Sequence, residues 1–342
     1  MPVRREVASP FPSPLWGGAR GGESPDGGES PDASVLRAPV PGLPRVTSET
    51  CLRHDAGATA PRTASAPAAR RGLRRLALSL LAAVLAVPAP AGAEPKAARE
   101  AFVTNQTGDS LSVVDLAAGA TAQEVAIGGK PAGVALSPDG RFAYLTSPDS
   151  KELVVVDADA RSVASRLAVG EGPLGVAAHP SDGQVFVADW YAHKLFVVDP
   201  AAGKVTGSVA VGKSPSGVAV TADGKWILTA DRDSNEVSLI DAATLTRVST
   251  IAVGERPFGI TVDAEGRRAY TANVASDDVS VVDLAAGKVV GTVKVGRRPY
   301  AVALARGLGF VTDQYAATVT VFDLATLAVV KTIDVGEYPE GI

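Results

Sequence analysis

From about residue 101 onward, short apolar runs alternate with short polar breaks, and the pattern returns. Residues 211–241, VGKSPSGVAVTADGKWILTADRDSNEVSLID, show the unit. Its apolar runs are G-V-A-V (217–220), W-I-L-T-A (226–230), V-S-L-I-D (237–241) and R-V-S-T-I-A-V (247–253). The breaks are T-A-D-G, an Asn/Asp/Ser-rich loop, D-A-A-T and V-G-x-x-P. Runs of this length, bounded by turn chemistry, predict four short strands per unit. The inner runs are apolar almost without interruption, which predicts sheets covered on both faces. Helical periodicity is absent.

Two markers keep the same register along the chain. The aspartate that closes V-V-D or V-I-D falls at 115, 157, 199, 241, 283 and 323, and the proline of P-x-G-V falls at 131, 173, 215, 257, 299 and 339. Both sets are spaced 42, 42, 42, 42 and 40 residues apart. A fixed period near 40 residues with four strands per period is the signature of a β-propeller.

The tetrads FVTN at 102–105, YLTS at 144–147, FVAD at 186–189, YTAN at 270–273 and FVTD at 310–313, with P-x-G-V-A and V-S-V-V-D, carry a family likeness. Over residues 101–342 the chain resembles the YVTN-family β-propeller repeat. The resemblance implies an all-β propeller of four-stranded blades, here with six repeat units. That family typically closes seven blades, whereas this chain carries six second-to-fourth-strand sets and reaches Pro339-Glu340-Gly341-Ile342 as another first strand begins. Two closures fit: a six-bladed ring completed by a strand at Ile342, or a shortened seven-bladed ring. The liability of an unpaired edge favours the second.

The N-terminal third has a different texture. Residues 1–69 are rich in Gly, Pro, Ser and Arg without apolar periodicity, and read as a disordered or mis-called extension. Residues 70–93 read as a secretory signal peptide, with Arg70, Arg71, Arg74 and Arg75, the run LALSLLAAVLAV, and Ala91-Gly92-Ala93 as the cleavage site. Twelve apolar residues span about 18 Å, short of a bilayer core. The expected mature domain is therefore 94–342, periplasmic or secreted, with no membrane span after cleavage.

Charge and cysteine usage narrow the chemistry. From Glu94 onward 22 basic residues face 30 acidic ones, a balance that makes nucleic acid an unlikely partner. Cys51 is the only cysteine and precedes the mature domain, so disulfides, thiolate metal sites and haem attachment are not expected. No motif calls for a cofactor, a metal or a catalytic residue.

Comparison among repeats separates scaffold from candidate site. The six closing aspartates and the glycines at 128, 170, 212, 254, 296 and 336 recur, and are expected to form turns. In a propeller the loops after the second and fourth strands open on one face, where Lys130, Glu171, Lys213, Glu255 and Glu337 vary. The same rim carries the ligand-binding candidates Trp190, Tyr191, His193, Arg232, Arg256, Phe258, Arg297, Arg298, Tyr300, Tyr315 and Tyr338. The tetrads end on Asn105, Ser147, Asp189, Asp231, Asn273 and Asp313, all polar: either a channel-mouth ring for a cation or polar ligand, or Asx-type bonds that start the next loop. His179 is expected in a turn.

These features predict a non-catalytic binding or scaffold module that engages an unknown protein or small molecule in the periplasm. The alternatives are an accessory or catalytic propeller of a redox or quinoprotein system, a lactonase-like hydrolase, and a DNA-binding propeller that uses the arginine group.

Overall fold

The computed structural model describes residues 100–342, so the extension and signal-peptide expectations lie outside the described residues. The first sheet holds β1 (Glu100–Asn105), β2 (Ser110–Asp115) and β3 (Ala120–Ala126). The second holds β4 (Val134–Leu136), β5 (Phe142–Ser147), β6 (Glu152–Asp157) and β7 (Ser162–Ala168). The third holds β8 (Pro173–Ala178), β9 (Val185–Asp189), β10 (Lys194–Asp199) and β11 (Lys204–Ala210). The fourth holds β12 (Pro215–Val220), β13 (Trp226–Asp231), β14 (Glu236–Asp241) and β15 (Thr246–Ala252). The fifth holds β16 (Pro257–Val262), β17 (Arg268–Asn273), β18 (Asp278–Asp283) and β19 (Lys288–Lys294), and the sixth β20 (Pro299–Ala305), β21 (Leu308–Asp313), β22 (Thr318–Asp323) and β23 (Val329–Asp334). All are antiparallel meanders, and a single 3-10 turn at Arg232–Ser234 is the only helical element among the described residues. This is a six-bladed β-propeller whose first blade has three strands.

Every blade bends at the same place. The pairing of third and fourth strands slips between Val113 and Val114, and again at Val155/Val156, Val197/Val198, Leu239/Ile240, Val281/Val282 and Val321/Phe322. A bulge at this point adds twist, which each blade needs to lie flat against a neighbour. The bulk of each interface is apolar: Tyr144, Leu153 and Val155 of the second blade pack with Val176, Val185, Val187 and Val198 in one buried cluster.

The inner strands approach one another more closely than side chains allow. A Cβ on Gly175 would lie 2.0 Å from the Ser216 carbonyl oxygen, and one on Gly217 or Gly259 would lie 2.5 Å from the Phe258 or Tyr300 carbonyl. The glycine of P-x-G is therefore required by strand contact. Hydroxyls latch the same places: Thr146 Oγ1 donates to the Leu174 carbonyl at 2.6 Å, and Thr312 Oγ1 to that of Glu340 at 2.7 Å. The closing aspartates behave as turn residues. Asp157, Asp199, Asp241 and Asp283 each accept a backbone N–H three residues on, at 2.7–2.8 Å.

The two terminal blades are less covered than the rest. Ile333 of β23 is 37% exposed, against 2% for both Ile251 and Val293 at the matching position. Val103 of β1 is 46% exposed, whereas Leu145 and Val187 are fully buried. Thus one face of the sixth blade and one of the first lack, among the described residues, the cover that the blades between them give each other.

Candidate functional site

The strand order puts two loop sets at the end where each inner strand begins. One set is the residue directly after each tetrad, and the other is the x of P-x-G. Asp189 organises the first: its Oδ1 accepts the Tyr191 and Ala192 N–H groups, and its Oδ2 those of Glu171 and Gly172, at 2.6–3.0 Å. The Trp190 N–H donates to the Gly172 carbonyl at 2.9 Å. Its indole is thereby set over the end of the third blade and is buried.

Five rings and two guanidiniums from different blades gather there in two groups. Trp190 of the third blade lies 6.5 Å from Phe258 of the fifth, and Phe258 stacks at 4.2 Å and 34° on Tyr300 of the sixth. The Arg232 guanidinium sits 5.4 Å above the Trp190 ring, while its Nη1 donates to Asp233 Oδ1 at 2.6 Å. On the sixth blade Arg298 lies 4.6 Å over Tyr315 and donates from Nη1 to the phenol oxygen at 3.1 Å. Tyr338 meets Tyr315 edge-on at 6.2 Å. Stacked aromatic and cation–π contacts of this kind fix ring planes.

Electrostatics at this mouth are set by burial. The Tyr300 phenol is pushed well above its usual value of 10 by burial and next by the Glu340 charge, with Arg298 and Arg232 pulling the other way. Glu340 is raised by burial, an effect reduced by a hydrogen bond from Gln314 Nε2 at 3.1 Å and by the Arg298 charge. Arg298 makes no ion pair among the described residues, and its buried Nε has no hydrogen-bond partner there.

Other rim candidates take scaffold roles. The residue before the proline adopts positive φ at Lys130, Ser214, Arg256, Arg298 and Tyr338. Its N–H is held by an acceptor on the preceding hairpin: Asp109 Oδ1 for Lys130, His193 Nδ1 for Ser214, Asn235 Oδ1 for Arg256 and Asp277 Oδ1 for Arg298. His193 thus serves as one of these acceptors, which places its ring proton on Nε2. Arg256 and Arg297 are exposed. Tyr191, 42% exposed, lies over Gly172, where a Cβ would come within 2.5 Å of its ring.

The tetrad ends are mostly buried. Ser147, Asp189, Asp231, Asn273 and Asp313 are fully buried, and Asn105 partly so. Four of them, Asn105, Asp231, Asn273 and Asp313, bond within their own blades to a hydroxyl that the third strand presents opposite, whereas Asp189 bonds only loop N–H groups and Ser147 Oγ has no partner among the described residues. Asp231 accepts from Ser238, Thr229 and the Gly212 N–H, Asp313 from Thr318 and Thr320, and Asn273 and Asn105 donate to Ser280 and Ser112. Burial raises the Asp231 carboxyl to about 6 against the opposing pull of those hydrogen bonds. His179 lies in its turn: its Nδ1 accepts the Ser181 and Asp182 N–H groups, and its Nε2 faces the Gly224 carbonyl at 3.1 Å.

Sequence reasoning missed Gln314 and Glu340. Gln314 occupies the place that Trp190 and Arg232 hold in their repeats, and Glu340 is the x of the last P-x-G, so the repeat alignment carried both signals. Among the described residues no group of three or more His, Cys, Asp or Glu side chains is arranged to hold a metal ion.

Fold and site define a six-bladed β-propeller with an aromatic and arginine mouth at one end. No family model and no curated protein matches the chain. Among solved structures it is similar to the hydrazine synthase of Kuenenia stuttgartiensis, with 20% identity and a TM-score of 0.64 over 71% of this chain and 85% of that one. At that identity the likeness shows the fold alone.

Proposed function

We propose that this protein is an exported, non-catalytic binding propeller of the YVTN-repeat kind that holds its ligand against the mouth formed by Trp190, Phe258 and Tyr300. The observation that carries the reading is the convergence of rings from three blades, two of them stacked at 4.2 Å, beside two guanidiniums. No blade alone needs these residues for its own packing, since the matching x positions elsewhere are Ala132, Leu174 and Ser216. Large aromatic and arginine side chains gathered on otherwise variable loops are the make-up of a recognition surface. The basic flank, apolar run and A-x-A site of residues 70–93 support export.

Affinity capture from periplasmic extract, read out for both proteins and small molecules, tests the mouth. Bound species should be lost from a Trp190→Ala, Tyr300→Ala double variant whose thermal unfolding shows a folded propeller. Undiminished capture by that folded variant removes the mouth from the function. N-terminal sequencing of the exported protein should begin at Glu94, and retention in the cytoplasm would contradict export.

A further inference from the structure

Resting on that reading of the mouth, we infer that its ligand is a planar aromatic carboxylate. The flat surfaces come from Trp190 and the Phe258/Tyr300 pair, whose ring planes are fixed by contact across blades. Rings held in this way favour a flat partner, which gains stacking area with little loss of side-chain freedom. The sign of the charge follows from how the ionised groups at the mouth are already engaged.

The ionised groups that contact or act on the rings of the mouth, or pair with one that does, are Arg232, Asp233, Arg298 and Glu340. Arg232 and Asp233 neutralise each other at 2.6 Å, and Asp233 Oδ2 also accepts from Ser214 Oγ at 2.7 Å. Glu340 is held by Gln314 at 3.1 Å and has a half-buried carboxyl beside the Tyr300 ring. Arg298 acts on Glu340 through its charge but makes no direct ion pair with it or with any other carboxylate among the described residues. It makes one side-chain hydrogen bond, to the Tyr315 phenol, and its Nε–H is buried without a partner among the described residues. A buried donor without an acceptor is costly, and a carboxylate is the group that satisfies a guanidinium in two places at once. A cationic ligand is disfavoured, because guanidiniums already lie over the Trp190 and Tyr315 faces that would receive it. The aromatic part of the ligand then lies toward Phe258 and Tyr300, with its carboxylate toward Arg298.

The sequence holds three tryptophans, Trp16, Trp190 and Trp226, so the full chain labelled with 15N-tryptophan gives a direct reporter. Trp226 opens β13 at the opposite end of the blade and serves as an internal control. Three probes of one shape separate the chemistries: 2-naphthoate, 2-naphthamide and (2-naphthylmethyl)trimethylammonium. Naphthoate should shift the Trp190 indole signal saturably and leave Trp226 in place, with the amide binding at least ~10-fold more weakly. Arg298→Gln should weaken naphthoate to about the level of the amide and weaken the amide much less, its folding checked by the Trp226 signal. If that variant does not fold, the ranking of the three probes on the native protein decides alone. Amide or ammonium binding as tight as naphthoate overturns the carboxylate and leaves the mouth standing. If no probe moves Trp190, both the carboxylate and the mouth reading fall.

Discussion

Asp231→Asn should change how stability depends on pH, in a direction and by an amount the structure fixes. The carboxyl is fully buried at the end of β13 and carries a pKa of about 6, raised chiefly by desolvation and opposed by hydrogen bonds from Ser238, Thr229 and Gly212. In the unfolded chain the same group loses its proton near 3.8. Between these values the unfolded state has released its proton while the folded state keeps it, so stability falls as pH rises from about 4 to about 6 and is flat above. A separation of about two units corresponds to about 3 kcal/mol. Asparagine carries no charge, and the fold already accepts it here: Asn273 bonds Ser280 at 2.9 Å and Asp278 at 2.8 Å at the matching place. The variant loses an acceptor, which costs about 1 kcal/mol at low pH. Relative to the native protein it should be about 1 kcal/mol less stable near pH 4 and about 2 kcal/mol more stable near pH 7. Denaturant unfolding followed by circular dichroism across this range gives the difference curve. Asp313 and Glu340, also raised by burial, contribute equally to both proteins and cancel. Parallel curves for the two proteins would refute the buried-charge argument.

Gly175→Ala should destabilise by about 3 kcal/mol, since its Cβ meets a backbone carbonyl at 2.0 Å, whereas Gly336→Ala, with open space around it, should stay within about 0.5 kcal/mol; thermal midpoints compare them. Ile251→Asn should cost about 3 kcal/mol or more, and Ile333→Asn at the matching position less than about 1 kcal/mol, by the same denaturant assay. Equal losses at the two sites would mean that the sixth blade is covered as fully as the fourth. Exchange of His193 for Ala should weaken the loop before Pro215 by removing the acceptor for the Ser214 N–H, seen as faster amide hydrogen exchange at Ser214, while Trp190 signals stay in place.

Six repeat units were legible because the markers at each strand end recur in phase, and the closing aspartates do the turn work their position implies, but the liability of an unpaired edge favoured a shortened seven-bladed ring over the six-bladed propeller observed. Strand limits differed by a residue or two. β12 starts at Pro215, two residues before the predicted strand, because Pro215 pairs with Asp231 ahead of a slip in register. Convergence of the mouth was only partly legible. Which rim side chains meet depends on reach across the propeller, and Trp190 spans from the third blade to the fifth, a contact that no spacing within a repeat encodes. The bonding of the tetrad ends was legible only as a pair of alternatives, because the partners of four of them, Ser112, Ser238, Ser280 and Thr320, sit seven residues on, across a hairpin, and read by themselves as ordinary strand positions.

The loops before the prolines show how one scaffold can carry different mouths. Positive φ at a residue with a side chain costs free energy, yet it recurs at Lys130, Ser214, Arg256, Arg298 and Tyr338. In the first four the strain is offset by one backbone N–H bonded to a side-chain acceptor on the preceding hairpin, and Asp, His and Asn all fill that acceptor place. Because that bond is made by the backbone, it does not depend on which side chain the strained residue carries. Arg298 can therefore be aimed over Tyr315 while Ser214, in the same conformation, binds Asp233. The constraint that fixes where each loop residue sits leaves its chemistry free, so the mouth can be altered residue by residue without disturbing the blade beneath it.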